Sequence, residues 1–129
     1  MPVVYRRTFD DLGDTIARYS RRWAKLWGVP TWHIELRWST EDADSYGEAY
    51  PDQAHYEIAT LRFNTRKIRR ESLSDKQIEN IVAHEIGHIS HYELIEKAHR
   101  VDDLLSEEMQ SVEDRTIERH LKAIQGAYA

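Results

Sequence analysis

The chain has 129 residues, with 23 acidic side chains against 18 Lys and Arg and a net charge of -5, a balance that argues against a protein built mainly to coat nucleic acid. Cysteine is absent, which excludes disulfides and thiolate ligands and leaves histidine and carboxylate as the available metal donors. The mean hydropathy of -0.73, the lack of an N-terminal secretory pattern and the lack of any run near the roughly twenty apolar residues that span a bilayer predict a soluble, cytoplasmic chain with no membrane partner, folded as one domain over residues 1–129.

Taken in order, Thr8 and Asp11 resemble a capping box. Phe9, Leu12, Ile16, Tyr19, Trp23, Leu26 and Trp27 then recur at helical spacing, predicting a first helix over 9–27 that Gly28 and Pro30 stop. Arg18, Arg21, Arg22 and Lys25 make its outer side basic, which reads as a solvated face. Trp32, Ile34, Leu36 and Trp38 alternate with polar residues, the pattern of a strand with one buried face. After an acidic turn (Glu41, Asp42, Asp44), residues 46–50 form a short candidate strand that Pro51 ends, fitting a hairpin-like return. Residues 56–63 form a further strand whose phase shifts near Ala59 and Thr60, suggesting a bulge. Arg66, Lys67, Arg69 and Arg70 read as a basic connector.

Ser74 with Gln77 three residues later caps a second helix, in which Ile78, Val82, Ile86 and Ile89 make a narrow apolar stripe. A third helix is predicted over 102–124 from Leu105, Met109, Val112, Ile117, Leu121 and Ile124. The order predicts an α+β fold: an N-terminal helix, a small two- or three-stranded, mainly antiparallel sheet, a central helix and a C-terminal helix.

The central helix contains His84-Glu85-Ile86-Gly87-His88. Histidines four apart on a helix share a face and reach one metal ion, while the intervening glutamate points to one side, where it can act on a water at the metal. Both histidines fall outside the isoleucine stripe, so the helix can bury one flank and present imidazoles on another. These residues resemble the HExxH motif of the zincin metallopeptidases. The metzincin extension would need glycine at 91 and histidine at 94, where this chain has His91 and Leu94. The chain is more similar to small gluzincins of bacterial or prophage type, whose third ligand is a glutamate on a later helix.

A hydrolytic zinc site takes three protein ligands and keeps a position for water. In the last predicted helix Glu113 falls inside the apolar arc, where a carboxylate is costly unless a metal or a buried cation compensates it. Glu113 is therefore the candidate third ligand, with Glu108 next and pairing to a buried Arg or His as the plain alternative. The resemblance implies the same assignment, although Ile117 departs from the aspartate that larger gluzincins carry. His91 and His120 are candidates for supporting or competing roles, and His91 and Tyr92 for donors to an oxyanion.

With one zinc ion on His84, His88 and Glu113, water at the metal would titrate at about 7, and Glu85 would take its proton during attack on a peptide carbonyl. The sequence thus predicts a zinc metallopeptidase acting on a peptide or protein substrate. The alternatives are a catalytically silent, zinc-stabilised protein-binding module and, last, a metal-dependent nucleic-acid-associated protein.

Overall fold

In the computed structural model, which describes residues 3–41, 44–101 and 121–123, the elements run β1 (Val3–Tyr5), α1 (Leu12–Leu26), β2 (His33–Ser39), β3 (Gly47–Gln53), a 3-10 turn (Ala54–Tyr56), β4 (Ile58–Asn64), α2 (Thr65–Arg70) and α3 (Asp75–Val101). Residues 121–123 are helical. The class is α+β, but the sheet has four strands in the order β1-β2-β4-β3 and is mixed. β1 pairs with β2 and β2 with β4 in parallel, and only β3 runs antiparallel, against β4.

The expected two or three mainly antiparallel strands are corrected at three points. Val3–Tyr5 is too short to show a period, yet α1 supplies the crossover that a parallel β1-β2 pair requires. The return after β2 makes no hairpin with it, because β4 takes the place between β2 and β3. The irregularity lies not at Ala59 and Thr60 but on β3, where one extra residue separates Tyr50, opposite Thr60, from Gln53, opposite Ile58. Pro51 sits in that bulge and does not end the strand, which is possible because β3 lies at the sheet's edge.

Helix ends follow local chemistry. α1 begins later than its apolar pattern, at Leu12: the Thr8 hydroxyl accepts from Gly13 N–H at 3.1 Å and the Asp10 carboxylate from Leu12 N–H at 3.0 Å, while Asp11 makes no side-chain cap. Gly28, at φ +77°, occupies the left-handed conformation that closes the helix. At the start of α3 the expected reciprocal cap is present, Ser74 N–H donating to Gln77 Oε1 at 2.8 Å and Gln77 N–H to Ser74 Oγ at 3.2 Å. The basic connector is a short helix, α2, capped by the Asn64 side chain.

The register puts Val3, Ile34, Leu36, Ala59, Leu61 and Phe63 on one face of the sheet, where they are buried. Over that face lie α1, through Ile16, Ala17 and Trp23, and α3, through Ile78, Val82, Ile86 and Ile89. Leu121 joins the same core. The opposite face carries Glu35, Arg37, Glu48 and Arg62. Among the described residues no helix is long and apolar enough to cross a membrane.

Candidate metal centre

α3 packs against both α1 and the edge strand β3. Its isoleucine stripe is sealed, with Val82, Ile86 and Ile89 fully buried, and this fixes the rotation of the helix. His84 and His88, on the adjoining flank, are half-buried. Their Nε2 atoms lie 3.1 Å apart, with ring planes at 81°. Two nitrogens on one tetrahedral zinc, at bonds of about 2.0–2.1 Å, stand about 3.3 Å apart, so the pair is spaced for a shared ion. The same spacing allows an N–H···N hydrogen bond between the rings.

Glu85 is buried, with 8% exposure. One carboxylate oxygen of Glu85 and one ring nitrogen from each histidine all lie within 4.8 Å of one another. Beside them is a cleft of about 370 Å³ bordered by Ser45, Tyr46 and Gly47 of the edge-strand side and by Asn80, Ile81, His84 and Glu85 of α3. Tyr46 is held in place by its O–H donating to Glu71 at 2.6 Å and by Lys67 over its ring at 4.4 Å. The Glu71 carboxylate raises the phenol pKa above its ordinary value.

A second set of contacts aligns the helix from the other side. The Trp27 indole N–H donates to the main-chain carbonyl of Ala83 at 2.8 Å, and the Trp27 ring meets His91 edge-on at 6.2 Å. Arg22 reaches Glu79 at 3.7 Å, a further link between α1 and α3.

Of the residues singled out from sequence, His84, Glu85 and His88 are together. His91 stands against Trp27 and Tyr92 packs on the core; neither borders the cleft. Glu113, Glu108 and His120 lie outside the described residues. The edge position beside the centre belongs to β3, and the strand over 56–63 is interior. Sequence reasoning missed Gly47, Tyr46, Asn80 and Trp27 as neighbours of the centre. A glycine inside a strand is itself a sign of close approach by another group, and Gly47 was legible on that ground.

No protein-family model matches the chain, and no curated protein or solved structure matches it.

Proposed function

We propose that the chain is a zinc-dependent metallopeptidase in which His84 and His88 hold the ion and Glu113 completes the ligand set. The reading rests on one observation above all: two imidazole nitrogens 3.1 Å apart, with a buried carboxylate beside them, at the border of a cleft. Bound zinc supplies Lewis acidity at the scissile carbonyl and acidifies the attacking water. Glu85 takes the proton of that water and returns it to the departing amine nitrogen. The outer edge of β3, next to the cleft, offers main-chain groups for pairing with an extended peptide.

Two other readings draw less support. A closed four-ligand structural site would recruit His91, whose ring is engaged with Trp27. A nucleic-acid surface would draw on the cations of α1 and α2, of which Arg22 is paired with Glu79 and Arg69 with Asp10, and the net charge of -5 opposes it.

The test is metal analysis with peptide hydrolysis by the wild type and Glu85→Gln. One zinc per chain and a loss of at least about 100-fold in kcat, with zinc retained, is the expected result. Equal cleavage by the variant overturns the mechanism, and absence of metal binding by the wild type overturns the site.

A further inference from the structure

We propose that Gly47 is a positioning residue for Glu85, an inference that rests on the hydrolytic reading above. A Cβ at position 47 would stand 3.0 Å from Phe63 Cδ1, 3.3 Å from the Arg62 carbonyl oxygen and 3.3 Å from Glu85 Cγ. All three are tighter than ordinary van der Waals contact, so each has to be relieved, by the neighbour itself or by a shift of the edge strand that carries position 47. The Arg62 carbonyl belongs to an interior strand, fixed by pairing on both sides. Phe63 is fully buried in the core, where close packing leaves it no alternative position. The Phe63 and Arg62 contacts are therefore relieved by the edge strand, which is paired on one side, whereas the contact with Glu85, buried but bordering the cleft, is relieved by displacing its side chain.

The bare backbone at Gly47 therefore sets how closely the Glu85 side chain lies against the edge strand. No left-handed backbone is involved here, because Gly28 is the glycine with positive φ among the described residues. What position 47 requires is the missing methyl group. Moving a proton-transferring carboxylate by about 1 Å can cost on the order of 100-fold in rate while leaving the two imidazoles, one turn of helix apart, undisturbed.

The experiment compares the full-length wild type, Gly47→Ala, Glu85→Gln and the double variant Gly47→Ala/Glu85→Gln for kcat and KM on a cleaved peptide, for zinc affinity, and by crystal structures of the wild type and Gly47→Ala. Gly47→Ala is expected to lower kcat about 100-fold with KM and zinc affinity changed only a few-fold, and the double variant to be no slower than Glu85→Gln alone. Gly47→Ala/Phe63→Leu, which makes room on the core side, is expected to recover thermal stability ahead of kcat if the single variant folds poorly. Unchanged kcat in a folded Gly47→Ala protein, multiplying losses in the double variant, or a Glu85 side chain superimposable on the wild type overturns the proposal. If the wild type cleaves no peptide, the hydrolytic reading fails by itself, and the displacement of Glu85 between the two crystal structures still decides the role of Gly47.

Discussion

Trp27 and Ala83 are joined by a hydrogen bond of 2.8 Å, from an indole N–H at the end of one helix to a main-chain oxygen in the middle of another. The acceptor immediately precedes His84, so the bond fixes the height and rotation of α3 where the histidine pair begins. Replacing Trp27 with Phe keeps a ring against His91 and removes the donor. A loss of about 1 kcal/mol is expected, measured as a lower urea midpoint with an unchanged slope.

The histidine pair should make stability depend on metal. Zinc in 100-fold excess over its dissociation constant is expected to stabilise the fold by about 2.7 kcal/mol, seen as a raised melting temperature that a chelator reverses. His84→Ala or His88→Ala should abolish the shift, and Glu85→Gln should keep it. A shift that survives loss of either histidine would place the metal elsewhere.

Isoleucine 89 lies one residue beyond His88 and is fully buried. Ile89→Ala is expected to cost about 2–4 kcal/mol in denaturant unfolding, through lost burial and the cavity left behind. Zinc stoichiometry should be unchanged, because the stripe and the histidines occupy different flanks of the helix.

The Asp10–Arg69 pair gives an acid-side prediction. Arg69 Nε meets Asp10 Oδ2 at 2.8 Å, and Arg69 with the Leu12 N–H holds the Asp10 carboxyl well below the usual carboxylate range. A folded pKa below the unfolded value stabilises the fold above the unfolded value, near 3.8, and that contribution is lost as pH falls further. Because the pair is partly exposed, water screens it, and Arg69→Gln should cost no more than about 1 kcal/mol at neutral pH. The difference between variant and wild type should shrink in urea titrations below pH 4; a constant difference would argue against the pair.

Much of this arrangement was readable from residue order, for reasons that differ between elements. The Ser74–Gln77 cap and the 78-82-86-89 stripe act within one helix, so local spacing suffices to place α3 and the flank bearing His84 and His88. The alternation in 33–39 likewise reports one buried face directly. Strand order does not, because the insertion of β4 between β2 and β3 depends on partners far apart in the chain. The identity of the edge strand, and with it the neighbours of Glu85, was lost for that reason. The start of α1 shows a smaller departure: spacing paired Thr8 with Asp11, and Thr8 does accept a helix N–H, but the acidic partner is Asp10, while Asp11 makes no cap.

The bulge at Pro51 has a consequence of scale. β3 is regular only from Gly47 to Tyr50, before its ladder breaks. An added strand could keep step with it for about four residues, roughly 13 Å at 3.3 Å per residue. If the chain acts on peptides as proposed, so short a handrail would grip one loosely and briefly, and preference among peptides would have to be written in the few side chains that enter the cleft rather than in the length of chain engaged.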